Sequence, residues 1–383
     1  MPYASSDSSA LETRSPTTSI RLRPATFDDY DQIVAVQAAN GLSTKPRDQW
    51  LHVWQNNPAY QQLADWPVGW VLEDQRRRIV GALENVPCLF RMRRRTYVGA
   101  FGRGWAVDPA YRGHAFALYL HHWRQANVDL FLTNTANPRT AALLTNRGWS
   151  RVPVGRWDQS AFWVASYTQT AKRFLDRRAP HFVSALAGPL LNLRFRRNDF
   201  NSAHRHHSAR GYELRWDTHF DAQFDEFWNE LQERNPDRLL SVRTSPTLLW
   251  HFRYALDQKR AWLLTASDGS KLIGYAIFER RQVQSVDLAR LILVDLQTLG
   301  NNPGLVAAMI GFAIERCRED RVQIIENIGC WLGTQRQLVN RHQFRRNLES
   351  WSYLYNVKNR ELARILTSPE AWYPTQYDAD ASL

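Results

Sequence analysis

Apolar and polar positions along this 383-residue chain follow two periods, and the order of those periods is written twice. In the first copy, strand-like runs at 20–23, 68–73, 78–90, 96–107, 128–133 and near 151–157 predict strands, with Arg76, Arg77 and Arg78 marking a turn. Apolar residues three and four apart predict helices at 27–39, 46–56, 113–126 and 138–146. The second copy predicts strands at 212–217, 261–266, 271–281, 286–297, 321–326 and 350–357. Its helices fall at 222–234, 246–256, 304–318 and 333–342.

Landmark residues repeat with the elements. Ile20 to Arg23 is echoed by Tyr212 to Arg215, and Trp70 followed by Ile79, Val80 and Gly81 is echoed by Trp262 followed by Leu272, Ile273 and Gly274. Arg23 to Trp70 and Arg215 to Trp262 are both separated by 47 residues. Equal spacing of ordered landmarks predicts a duplication. Strand runs broken by helices of this length indicate an α/β (α+β) fold built on mixed sheets. The expected organisation is a disordered leader at 1–19, a first domain at 20–170 and a linker at 171–210. A second domain at 211–360 and a tail at 361–383 follow.

The chain is long enough for two domains, and 44% hydrophobic content with 16 Trp supports packed cores. Its net charge of +12 rests on arginine, since only five of the 49 basic side chains are lysines. That bias reads either as genome composition or as attraction to anions such as CoA, nucleic acid, acidic glycans or an anionic membrane. No alternation of basic and aromatic residues and no groove-reading helix motif supports nucleic acid. Cys88, Cys317 and Cys330 form no close pair, which argues for a reducing compartment and against a zinc site. The leader lacks the apolar core of a signal peptide, and no run of about 18 apolar residues occurs, so a cytoplasmic protein is expected.

Two stretches between the halves carry their own alternatives. Phe182 to Leu193 is apolar and is followed by Arg194, Arg196 and Arg197. Residues 182–197 would suit either a peripheral contact with the inner face of a membrane or an interdomain helix pair. His204, His206 and His207 suggest a metal by clustering, but with no acid or cysteine beside them a solvated loop is the better reading.

The densest chemistry lies at 105–117 and 137–149. In the first stretch a strand reaches Val107, Pro109 marks a turn, and Arg112-Gly113 opens a helix whose unpaired N–H groups suit a pyrophosphate. The second opens a helix at Asn137 and ends on a Gly148-Trp149 turn. Together these stretches resemble the GNAT (N-acetyltransferase) superfamily. One of its signatures is Val-x-Pro followed by an Arg/Gln-x-x-Gly-x-Gly/Ala loop; the other is Asn-x-x-Ala-x-x-Leu-Tyr-x-x-x-Gly-Phe. The chain departs from the pattern at Ala115 and Ala117, which replace loop glycines, and at Leu144, which replaces a tyrosine that often protonates the leaving thiolate.

The resemblance implies two tandem GNAT-like domains, each a mixed, mostly antiparallel twisted sheet flanked by helices, with acetyl-CoA or another acyl-CoA as cofactor. It implies that a main-chain N–H near Val107 holds the thioester oxygen. Amides of Arg112, Gly113, His114, Ala115, Phe116 and Ala117 would hold the pyrophosphate, and Asn137 the pantetheine arm. The loop at 299–304 lacks the pattern, so a degenerate second domain is expected.

For the base, Glu84 is the best placed acid; the alternative is a solvent-facing strand residue. Tyr111 and Tyr119 could supply the missing acid or pack as aromatic side chains. Asp295, at a strand end, would bind the acceptor or cap the following loop. The resulting expectation is an acyl-CoA-dependent N-acyltransferase with a small-molecule or glycan amine as acceptor, an amino sugar among them. The alternative is a GNAT-fold scaffold with catalysis lost, linked to surface-polysaccharide synthesis or a membrane. The segment from Ser245 to Arg253 is similar to tandem members of that pathway.

Overall fold

A computed structural model describes residues 20–166, 212–283, 288–300, 302–334, 344–348, 352–378 and 380–383. The leader, the 182–197 segment, the histidine cluster and most of the helix expected at 333–342 lie outside these residues. In chain order the elements begin β1 (Arg21–Pro24), α1 (Tyr30–Ala39), α2 (Arg47–Gln55), α3 (Pro58–Gln62), β2 (Gly69–Glu73), β3 (Ile79–Met92) and β4 (Arg95–Val107). Then come α4 (Ala115–Trp123), β5 (Leu130–Thr133), α5 (Pro138–Thr145), β6 (Ser150–Arg151), β7 (Gln159–Val164), β8 (Glu213–Asp217), α6 (Ala222–Arg234), β9 (Leu240–Ser241) and α7 (Ser245–Asp257). The chain continues with β10 (Ala261–Asp268), β11 (Lys271–Val283), β12 (Leu288–Thr298), α8 (Pro303–Glu319), β13 (Ile324–Ile328), β14 (Phe344–Asn347), β15 (Leu354–Val357) and α9 (Arg360–Ile365).

Packing divides the described chain into two compact units, and the long strands β3 and β4 pass through both. The first unit comprises residues 20–45, 67–84 and 104–124. In it β1 pairs antiparallel with β2, and β2 with the start of β3. Its core joins Trp70, Leu72, Val80, Leu83, Val107 and Leu118, so α4 covers the sheet with the face that carries Leu118. Arg23 ties the edge together, donating to Asp29 at 2.7 and 2.8 Å and to Glu73 at 2.8 Å.

The second unit takes the described remainder, 46–66, 85–103 and 125–383. It holds the rest of the first sheet, in the order β3-β4-β5-β15-β6, and a seven-stranded sheet ordered β14-β7-β13-β12-β11-β10-β8. Each sheet is thus completed by a strand from the other sequence copy. Leu354–Val357 pairs antiparallel with Leu130–Thr133, and Gln159–Val164 pairs antiparallel with Ile324–Ile328. The strand expected near 151–157 is instead split into β6 and β7 around Gly155, whose φ is +86°. The split has a packing cause: a Cβ at Gly155 would lie 2.7 Å from the Gly329 carbonyl oxygen, and Trp157 closes over Gly329.

The seven-stranded sheet is covered on one face by α6, whose Phe224, Phe227, Trp228 and Leu231 recur at helical spacing and are buried. Asp221 starts that helix by accepting from the Gln223 amide at 3.0 Å. Every strand of the central set is thereby buried on a core face, and the fold is α/β with two mixed sheets flanked by helices.

In both copies one parallel pair of strands parts in the same way. β4 pairs with β5 over Gly99–Phe101 against Leu130–Leu132, and the pairing ends six residues before β4 ends at Val107. β12 pairs with β13 over Arg290–Ile292 against Ile324–Glu326, and β12 then continues for six residues to Thr298. A bulge at Val294 accompanies the second parting, since Ile277 faces Asp295 while Phe278 faces Leu293.

Candidate active site

The first unit holds most of the residues singled out from sequence. Glu84 is buried at 3% exposure, because β3 lies inside the sheet and is covered on both sides. It is therefore not the solvent-facing strand residue that one reading allowed. Gln37, from α1, donates from Nε2 to Glu84 Oε1 at 2.7 Å and lies 3.4 Å from the Gly104 carbonyl oxygen. Gly104 has φ of +61° inside β4, a conformation that glycine adopts without penalty. A Cβ at Gly104 would fall 2.2 Å from Gln37 Nε2 and 3.3 Å from the Glu84 carboxyl carbon. The backbone of β4, an amide side chain and a buried carboxylate thus meet three residues before Val107. Gln37 and Gly104 were missed from sequence, although a glycine pair at 102 and 104 within a strand run was a usable signal.

Val107 packs its side chain into the core, and the Asp108 amide donates to the Val80 carbonyl at 2.8 Å, which fixes the end of the strand. Pro109–His114 forms a 3-10 turn that feeds directly into α4. Arg112, Gly113 and His114 are exposed, while Ala115, Phe116 and Ala117 are half-buried. His114 occupies the cap position of α4 with no side-chain capping bond. Ala115 lies at φ −54° and ψ −37°, so alanine is accommodated where the family pattern has glycine. An added Cβ at Gly113 would meet nothing within 4 Å. This exposed loop with an uncapped helix start fits an anionic group: the positive end of the helix dipole and the Arg112 charge act together.

The two tyrosines are otherwise engaged. Tyr111 packs on the unit's core, and its hydroxyl hydrogen-bonds Arg78, which with Asp74 holds that guanidinium above its ordinary value. Tyr119 is buried, stacked between Trp105 at 6.2 Å and Phe116 at 5.3 Å between ring centroids.

Asn137 and Asp295 belong to the second unit. Asn137 accepts from the Thr140 amide at 2.9 Å and so caps α5, and Leu144 of that helix is buried. Asp295 neither faces a cleft nor caps a loop, because it is fully buried. Its Oδ2 accepts from Arg243 Nε at 2.9 Å and Tyr275 at 3.0 Å. Its Oδ1 accepts from Arg243 Nη2 at 3.2 Å, Gln297 at 3.0 Å and Thr375 at 3.0 Å. Arg243 also donates to Asp378 at 2.7 Å. Burial opposes the Arg243 charge, but the Asp295 and Asp378 carboxylates outweigh it and hold the guanidinium well above its ordinary value. Asp295 is therefore a structural acid whose lone pairs are taken.

The same unit carries acids and bases in the C-terminal segment, which sequence reasoning had set aside as a tail. Asp380 is buried just beyond β5, accepting from the Asn134 amide at 2.8 Å and from the Thr135 hydroxyl. Burial pushes its carboxyl above the ordinary value, against the pull of Thr135. His251 of α7 has Nε2 2.9 Å from Ser382 Oγ. No group of His, Cys, Asp and Glu among the described residues could hold a metal ion, and no described helix is long and apolar enough to cross a membrane.

No family model and no curated protein matches the chain. Solved structures do. A GCN5-related N-acetyltransferase from Anabaena variabilis aligns at TM-score 0.55 with 14% identity, covering 89% of this chain and 73% of that one. N-myristoyltransferase of Saccharomyces cerevisiae with bound myristoyl-CoA aligns at 0.50 with 10% identity, covering 91% and 82%. A GCN5-related glucosamine N-acetyltransferase region of a fungal multi-domain β-N-acetylglucosaminidase aligns at 0.52 with 11% identity, covering 90% and 38%. With its mixed sheets, helix order and parting parallel strands, the chain has the fold of the GNAT superfamily.

Proposed function

We propose that this protein is an acyl-CoA-dependent N-acyltransferase that acylates a small amine, an amino sugar among the candidates. The observation that carries the reading is the parting of β4 from β5 after Phe101 and Leu132, on the strand that leads into the Arg112–Ala117 loop. Parted strands leave main-chain groups of β4 without a neighbouring ladder, and such groups can accept a ligand's amides or polarise its carbonyl. The bound thioester would supply an activated acyl carbonyl and a good leaving group. On this reading Arg112, Gly113, His114, Ala115, Phe116 and Ala117 bind the pyrophosphate, and the β4 backbone near Val107 orients the carbonyl. Glu84, held by Gln37 beside β4, takes the proton from the acceptor amine directly or through water.

The yeast enzyme named above holds myristoyl-CoA in the same fold, which supports an acyl-CoA here without choosing the acyl group. The tandem halves at 20–170 and 211–360 are kept in this reading, with the second half supporting the first. A cytoplasmic location and a membrane contact through 182–197 remain part of the proposal.

A second reading, a binding protein with catalysis lost, has its own observation. Leu144 is buried where the family often has an acid, Tyr119 is stacked between aromatic rings, and Tyr111 is held by Arg78. Calorimetry with acetyl-CoA and CoA, with Arg112→Glu alongside, tests the first reading. Reversing the charge should weaken binding at least tenfold; absence of binding to the wild type sinks the proposal. Release of free thiol with an amine panel then separates enzyme from scaffold.

A further inference from the structure

The second unit contains a cavity of about 320 Å³ that no residue assignment above uses. It sits at the low end of the roughly 300–1,000 Å³ that small-molecule sites occupy, so it suits one small molecule and is too small for a coenzyme. It touches β4 at Phe101, the last residue of that strand paired with β5. Whatever fills it is therefore presented where the parallel strands part.

The walls define the chemistry. Phe101, Trp228, Trp250 and Tyr377 contribute aromatic surface, which favours an apolar body. No Asp or Glu side chain lines the cavity; its cationic side chain is Arg91, with Nη1 bonded to Thr96 Oγ1 at 2.7 Å. Thr244 and Thr247, at the first turn of the thirteen-residue α7, also line it, and their hydroxyls bond each other at 2.8 Å rather than capping the helix. Arg91 thus favours an anion, whereas the start of α7 is already served by Asp225, which accepts from the Ser245 amide at 2.8 Å and from its hydroxyl at 2.6 Å. Cys88 adds no charge, because burial pushes its thiol well above the ordinary value. Asp378, which does not line the cavity, is already paired to Arg243.

We propose that this cavity is the acceptor site, and that the acceptor is a small amine with an aromatic or aliphatic body and one anionic group. The assignment rests on the acyl-transfer reading for the name acceptor, but the ligand class rests on the walls alone. Walls without an Asp or Glu side chain give a bound ammonium no counter-charge, so the bound amine loses its proton more readily and becomes nucleophilic.

Tryptophan fluorescence of the full chain, titrated without any acyl-CoA, tests the class. The probes are phenylalanine, 3-phenylpropionate, 2-phenylethylamine and glucosamine. Phenylalanine and 3-phenylpropionate should bind, and 2-phenylethylamine and glucosamine should bind at least tenfold more weakly. Arg91→Gln should reduce phenylalanine to the level of 2-phenylethylamine, and Thr247→Trp should abolish its binding by filling the space. Equal binding of either amine lacking an anion overturns the inference, as does no binding by any probe or an Arg91→Gln variant that binds phenylalanine normally. CoA calorimetry on the same two variants keeps the questions apart. Retained CoA binding with lost phenylalanine binding locates the effect in the cavity. Phenylalanine binding without CoA binding leaves the cavity standing and removes the acyl-transfer reading.

Discussion

Replacing Gly104 by alanine tests the local geometry on which the proposed base depends. Two costs can be worked from the structure. An L-residue at φ +61° carries a left-handed penalty of about 1–2 kcal/mol. The new Cβ would sit 2.2 Å from Gln37 Nε2, so that amide must move and its 2.7 Å bond to the buried Glu84 carboxylate is lost. A hydrogen bond to a charged group is worth about 1.5–3 kcal/mol, which brings the expected loss to about 2.5–5 kcal/mol.

Urea unfolding followed by far-UV circular dichroism measures that loss, and a double-mutant cycle apportions it. Gln37→Ala alone should cost about 1.5–3 kcal/mol. Gly104→Ala added to Gln37→Ala should cost only the backbone share, about 1–2 kcal/mol, because the amide it displaces is already gone. Gly113→Ala is the control: its Cβ meets nothing within 4 Å, so a change within about 0.5 kcal/mol is expected. If Gly104→Ala costs less than about 1 kcal/mol, or the two changes add in full, the coupling of β4, Gln37 and Glu84 is wrong.

The other expectations follow from single residues. Glu84→Gln should lower kcat by about 10²–10⁴, while the fold stays intact by circular dichroism; unchanged kcat excludes Glu84 as the base. Asp295→Ala should destabilise the protein by about 3–5 kcal/mol in urea, because Arg243 stays buried with only Asp378 as counter-ion. Asp380 gives a pH test: its folded carboxyl is raised by burial, so the folded state binds the proton more tightly than the unfolded chain. Wild type should therefore gain stability relative to Asp380→Asn as pH falls from 7 towards the ordinary carboxylate range of about 4. A parallel pH dependence of the two unfolding midpoints would refute the shift.

What could be read from sequence was whatever depends on neighbours along the chain. The two 47-residue spacings reflect one structural cause, an outer antiparallel pair in each copy. Arg23 faces Val71 across β1 and β2, and Arg215 faces Thr265 across β8 and β10. The Arg112–Ala117 loop was legible for the same reason, since turn, proline and helix start are local. The exchange of β7 and β15 was not legible. Either strand satisfies its pattern beside any exposed sheet edge, and the choice is made by the space around Trp157, Gly155 and Gly329. The depth of Glu84 was not legible: one acid in an apolar run says nothing about which helix covers it, and Gln37 lies 47 residues away. Asp295 was misread because its partners Arg243 and Thr375 come from segments 52 and 80 residues distant. The cavity beside Phe101 was beyond sequence analysis for the same physical cause. Its walls come from α3, β3, β4, α6, β9, α7 and the C-terminal segment, and only folding brings Arg91, Trp228 and Thr247 to one space beside Phe101.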